Sequence, residues 1–184
     1  MYNSGGNSSP TLTKCTFENN TAGYSGGGMH NSYSFPTLTG CTFTSNSAAI
    51  GGGMYNYANS PALTNCTFTN NVSNENGGGM YNVSNSNATL TDCTFTDNTA
   101  KNYGGGIWCF ATTITGCSFI QNTATNGGGV FSNGSNEKYS PTISNSNFCE
   151  NDPDAINGNW NNGSGNEFLN TCGDIEGACC VKEA

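Results

Sequence analysis

The sequence predicts an all-β fold, a right-handed parallel β-helix (solenoid) of about six coils, with three short strands per coil and a cysteine-rich C-terminal cap. Three observations predict it. Cys/Ser-Thr/Ser-Phe recurs at Phe17, Phe43, Phe68, Phe95 and Phe119, with a degenerate copy at Phe148, at spacings of 26, 25, 27, 24 and 29 residues. Each unit holds three β-prone runs separated by Asn and Gly, and no single unit can bury its own apolar face, so neighbours must stack. Hydrophobic residues make up only 34% of the 184, which suits a narrow core.

The strands follow in order along a coil. In Thr11-Leu12-Thr13, alternation turns Leu12 inward and both threonines outward. In Cys15-Thr16-Phe17, Cys15 and Phe17 point inward; Leu12 and Cys15 are an odd number of residues apart, so a turn falls between them. Three residues after each Phe stands an asparagine: Asn20, Asn46, Asn71, Asn98, Asn122 and Asn151. Asn tolerates left-handed backbone, so these residues are expected to make tight corners, with their amides bonded from rung to rung. Triple glycines at 26–28, 51–53, 77–79, 104–106 and 127–129 then mark sharp, closely packed corners; no helix or phosphate-loop lysine follows them. The third strand carries Met29, Met54, Met80, Ile107 and Val130 inward. Repeats are expected over residues 1–151, with a cap or tail over 152–184.

Cys15, Cys41, Cys66, Cys93 and Cys117 form one inward column. Parallel, in-register Cβ vectors approach poorly for bridging, so free buried thiols are expected there. Cys109 takes a position that is Asn in earlier coils. Cys149, Cys172, Cys179 and Cys180 lie where the repeat decays, and their spacing suits a disulfide-stapled cap better than a zinc site.

Net charge is -8, there is no arginine, and only Lys14, Lys101, Lys138, Lys182 and His30 are basic. Nucleic-acid binding needs a Lys/Arg footprint and is excluded as an expectation. No run approaches the roughly 20 apolar residues of a membrane span, and no signal peptide opens the chain. Met1-Tyr2-Asn3 matches the later Met-Tyr-Asn strands, so the chain reads as beginning in mid-pattern, as a processed or partial product of a longer parent.

Phe-x-x-Asn together with Gly-Gly-x-aliphatic resembles the paired repeats of chlamydial polymorphic outer membrane proteins and of bacterial β-helix surface proteins with the pectin-lyase-like fold. The resemblance covers residues 1 to about 151. It implies a secreted or cell-surface, adhesin-like domain. Polysaccharide lyases and hydrolases on similar coils keep clustered acids, calcium and a basic residue outside the helix. Here Asp92 and Asp97 share one coil, Glu18 stands alone and the lysines are scattered, so no catalytic residue, metal or cofactor is assigned.

Function is therefore expected on the outward columns or the ends. One column is aromatic, Tyr2, His30, Tyr55, Tyr81, Trp108 and Phe131, and is the candidate ligand-binding face for a glycan or cell-surface protein; the competing reading is simple self-stacking beneath the loops at 4–10, 32–36, 57–61 and 83–88. The other columns are threonine: Thr42/Thr44, Thr67/Thr69 and Thr94/Thr96 with Thr16, and Thr11/Thr13, Thr37/Thr39, Thr89/Thr91 and Thr113/Thr115. These arrays look like the ice-binding faces of β-solenoid antifreeze proteins, although Glu18 and Ile120 interrupt the first. Thr is also simply a favourable outward strand residue. The first coil shows no cap, so end-to-end self-association into a filament is a further expectation. The leading expectation is a non-catalytic extracellular adhesin-like or filament-forming element, with carbohydrate binding or degradation, then ice binding, as alternatives.

Overall fold

The computed structural model describes residues 1–5, 9–58, 60–83 and 86–169. Within them the chain is a parallel β-solenoid whose three long sheets are seven strands each. The Thr-Leu-Thr sheet begins with Thr11–Thr13 and Thr37–Thr39, the Thr-Phe-Thr sheet with Thr16–Glu18 and Thr42–Thr44, and the Met-Tyr-Asn sheet with Tyr2–Ser4 and Met29–Ser32. Every strand pair is parallel, and like residues face like: Leu12 meets Leu38, Phe17 meets Phe43, Met29 meets Met54. A fourth, three-stranded sheet of two-residue strands, Ser47–Ala48, Val72–Ser73 and Thr99–Ala100, lies between the Phe strand and the glycines. Three strands per coil thus holds, with this short addition in the middle coils.

The core is four columns, of Leu/Ile, Cys, Phe and Met/Ile/Val. The phenylalanines stack from Phe17 to Phe148 with ring centroids 4.6 to 5.0 Å apart and planes within 6° of parallel. Phe43, Phe68, Phe95 and Phe119 are fully buried, as are Leu38, Met54, Met80 and Ile107. Each buried aromatic or large aliphatic side chain contributes about 1.5–3 kcal/mol, and repetition on every rung makes a narrow core sufficient.

The corners differ from expectation by one residue. The left-handed positions are Asn19, Ser45, Asn70, Asp97, Gln121 and Glu150, with φ between 49° and 55°, each immediately before the ladder asparagine. The second left-handed corner, between the Thr-Leu-Thr and Thr-Phe-Thr strands, is filled by Lys14, Gly40, Asn65, Asp92, Gly116 and Asn145. Corner residues point out and tolerate varied side chains; the asparagines are free to turn inward and bond.

Pairing also runs past 151, where the cap was expected to begin. Val130 pairs with Ile156, Ile143 with Asn162, and Phe148 with Phe168, whose rings stack at 5.1 Å. The motif is obscured there because Asn161-Asn162 replaces Thr-Leu and Ala155 takes the third-glycine place. Cys172, Cys179 and Cys180 lie outside the described residues; Cys149 is disulfide-bonded.

Candidate functional site

The buried asparagines and thiols are engaged in holding coils together. Each ladder asparagine donates its amide to the next: Asn46 to Asn71 at 3.0 Å, Asn71 to Asn98 at 2.9 Å, Asn98 to Asn122 at 2.9 Å. The same amide nitrogen donates back to the Phe carbonyl of the preceding coil, as Asn71 does to Phe43 at 2.9 Å. A second inward ladder, which the sequence reading passed over, runs down the Met-Tyr-Asn sheet from Asn31 to Asn56 at 2.9 Å and on to Asn82 at 2.7 Å. It ends on Thr112, which also bonds the fully buried Cys109 thiol. Cys109 therefore has a partner. The signal was available, since Met29 and Asn31 are two apart and share a face.

The thiol column is free and buried from Cys41 to Cys117, with Cys15 half-buried at its start. The thiols donate to the carbonyl two residues back, Cys93 to Thr91 at 3.4 Å and Cys117 to Thr115 at 3.5 Å. The hydrogen bond with Cys117, with burial adding, pushes the Cys93 thiol up to about 12, and burial pushes Cys109 up to about 12. Such thiols are protonated and poorly nucleophilic. Asp92 and Asp97 occupy corners at opposite ends of the strand Thr94–Thr96 and do not converge.

The predicted aromatic column forms, with two corrections. Tyr2, His30, Tyr55, Tyr81 and Trp108 stack continuously at 4.7, 4.8, 5.6 and 4.3 Å. Trp108, however, is only 7% exposed and is met edge-on by Phe110 at 5.1 Å. Phe131 packs against Tyr103 at 4.6 Å. His30 Nδ1 and the Ser25 hydroxyl lie 2.8 Å apart, and burial among the rings lowers the histidine pKa. The ring faces are occupied by neighbouring rings. Between Tyr2 and Trp108 the column therefore offers solvent ring edges and phenol hydroxyls, which is poor geometry for stacking a sugar.

Further tyrosines gather around this column. Burial raises the pKa of Tyr55 and carries that of Tyr81 to about 12, and Tyr24 stands close enough to add a smaller raising effect on both. Tyr57 extends the strand Met54–Tyr57 and meets Tyr33 edge-on at 5.4 Å. Seven of the eight tyrosines, all but Tyr139, thus lie on the Met-Tyr-Asn sheet or its two margins. Tyr2 and Tyr24 are each 73% exposed and Tyr33 is 53% exposed. Tyr24, Tyr33 and Tyr103 were not legible as a site, because their places hold other residue types in neighbouring coils.

The threonine columns form as predicted and extend further. On the Thr-Leu-Thr sheet, Thr64 joins Thr39 to Thr91, and Thr142 and Ser144 continue beyond Thr113 and Thr115.

The family model described as "Right handed beta helix region" matches residues 2–148. No curated protein and no solved structure matches the chain.

Proposed function

The chain belongs to the right-handed β-helix family, and from that premise we propose that it is a non-catalytic, extracellular, adhesin-like rod that binds a protein on a cell surface through its tyrosine face. The observation that carries this reading is the gathering of seven tyrosines and Trp108 on one side of an otherwise Thr-, Ser- and Asn-rich solenoid. Tyrosine is a rigid, amphipathic contact residue with few rotors to immobilise, which is why it is enriched in binding surfaces. Rows of edges and hydroxyls suit a protein surface, with its mixed donors and apolar groups. The fixed sheet supplies the preorganisation that makes such contacts effective. The bonded Cys149 accords with an oxidising, extracellular setting.

The test is retention of the labelled full chain on an array of cell-surface ectodomains and on intact cells. Tyr24→Ser with Tyr33→Ser removes exposed phenols while leaving the internal ring stack whole, and retention is expected to fall about tenfold or more. Unchanged retention of this double variant, with the fold intact by circular dichroism, refutes the face.

A further inference from the structure

We infer that the tyrosine face receives an arginine side chain of its protein partner in a notch between Tyr24 and Glu75. The inference rests on the reading of that face as a protein-binding surface and adds the chemistry it recognises. Coil length makes the notch. Thr21 and Val72 both pair with Ser47, Ser25 bridges Ile50, and the Gly51 N–H donates to the Asn76 carbonyl at 3.0 Å, so two rows of residues frame the same stretch on three successive coils. Between these rows the first coil carries Ala22, Gly23 and Tyr24, the third carries Ser73, Asn74 and Glu75, and the second has only Ala48 and Ala49. Tyr24 and Glu75 thus hold the same place two rungs apart, about 9.6 Å. The coil between them is one residue short and offers nothing larger than a methyl. Tyr24 and Glu75 are exposed, and Ala49 is half-buried.

Both walls are available to a ligand. Among the described residues the Glu75 carboxylate makes no hydrogen bond or ion pair, with Lys101 on the next coil or with any other group, and the Tyr24 ring stacks on no other ring. Its faces are open where those of Tyr55 and Tyr81 cover one another. The backbone beneath is fixed: the Glu75 N–H donates to the Ala49 carbonyl at 2.9 Å and to the Ser73 hydroxyl at 3.2 Å, and that hydroxyl donates to the Ala49 carbonyl at 2.8 Å. The surroundings are electronegative. Burial, then Tyr55, Glu75 and Tyr24, oppose ionisation of the Tyr81 phenol. The chain as a whole carries a charge of -8 and no arginine, so it draws basic partners and has no guanidinium of its own to fill the notch.

The two walls suit two parts of one group. A guanidinium stacks on a tyrosine ring within about 6 Å of its centroid, while its N–H fork meets a carboxylate at about 2.8 Å. A lysine ammonium is a strongly hydrated point charge with no plane to stack, so the notch favours arginine over lysine. An acidic segment is repelled by Glu75.

The experiment measures binding of the full chain to a fluorescent peptide of alternating Gly and Arg, by anisotropy in physiological salt, against the same peptide with Lys in place of Arg. The Arg form is expected to bind about fivefold more tightly. Glu75→Gln is expected to weaken it about tenfold, and Ala49→Lys, which places a cation inside the notch, to do the same. Asn74→Lys adds the same charge at an exposed neighbouring place and is expected to stay within about twofold of the parent. Melting curves confirm that each variant is folded. Glu75→Gln binding as tightly as the parent, equal losses in Ala49→Lys and Asn74→Lys, or equal binding of the Arg and Lys peptides overturns the proposal. Retention on cells and ectodomains separates it from the face itself. Glu75→Gln is expected to lower retention as Tyr24→Ser with Tyr33→Ser does. A fall in the tyrosine variant without one in Glu75→Gln leaves the face standing and overturns the arginine site, whereas unchanged retention of the tyrosine variant refutes the face and with it the partner's arginine.

Discussion

Replacing Asn71 by Ala is expected to destabilise the rod by about 4 kcal/mol, through several buried polar groups losing a partner at ~1–3 kcal/mol each. Asn71 is fully buried. Its amide donates to the Phe43 carbonyl and to the Asn98 oxygen, both at 2.9 Å, and its own oxygen accepts from the Asn46 backbone N–H and the Asn46 amide, both at 3.0 Å. No apolar side chain replaces any of these bonds. The gap falls in the middle of the stack, where each coil contacts only its neighbours, so loss of one rung weakens the interface on both sides. Urea denaturation measures the effect. Asn74→Ala, at an exposed position outside both ladders, should stay within about 0.5 kcal/mol of the parent. Equal costs at Asn71 and Asn74 would remove the ladder from the account of stability.

The second large effect is expected at the glycines, and it separates those of the triple-glycine runs from a lone corner glycine. Gly105→Ala should cost about 3 kcal/mol, at the upper end of overpacking effects. A Cβ there would lie 2.5 Å from the Gly128 carbonyl oxygen of the next coil and 2.5 Å from that of Thr123. Both oxygens are engaged in rung pairing, because the Gly128 carbonyl accepts from the Gly106 N–H at 2.9 Å and the Thr123 carbonyl from the Ala100 N–H at 2.9 Å. Neither can move without opening the coil. Gly40→Asn, by contrast, should change stability by less than about 1 kcal/mol, the cost of an Asn in left-handed backbone being small. Gly40 is left-handed at φ 61°, yet Asn65 holds the same corner at φ 52° in the next coil, and the nearest atom to an added Cβ is 3.5 Å away. Thermal melts of the two variants side by side measure the difference, and equal melting temperatures would contradict it.

How far the sequence could be read follows from what repeats. Leu or Ile, Cys, Phe, and Met, Ile or Val recur on successive rungs because each must fill the same narrow section, so the core columns and the first six coils were legible. The asparagines were legible as a ladder but misplaced as corners: Asn19 and Asn70 precede Asn20 and Asn71, and the left-handed role belongs to the first of each pair, which Ser45, Asp97 and Gln121 also fill. The second ladder, Asn31 to Asn82, was obscured by the general cost of burying an amide, a cost that rung-to-rung bonding removes. The seventh rung was obscured because inward Leu became Asn162 and the glycine run before Ile156 is gone, although Ile156 and Phe168 keep their columns.

The candidate site was half legible. The column from Tyr2 to Trp108 could be read from its spacing, whereas its stacking, which occupies the ring faces, and the burial of Trp108 beside Phe110 depend on rotamers that alternation does not specify. Tyr24 and Tyr103 join the face through the path of the coil just before the glycines, a placement without periodic signature.

The thiol column from Cys41 to Cys117 and the ladder asparagines are enclosed in the interior of the solenoid, and that enclosure holds the coils in register. Site-resolved alkylation of the native protein, read by mass spectrometry, tests it most directly. Cys15, half-buried at the start of the column, should be modified first. Cys41, Cys66, Cys93, Cys109 and Cys117, each at most 1% exposed, should react about a thousandfold more slowly, because they wait for coil opening against a free energy of several kcal/mol. Modification of Cys66 and Cys93 in the folded rod at the rate of Cys15 would contradict the account.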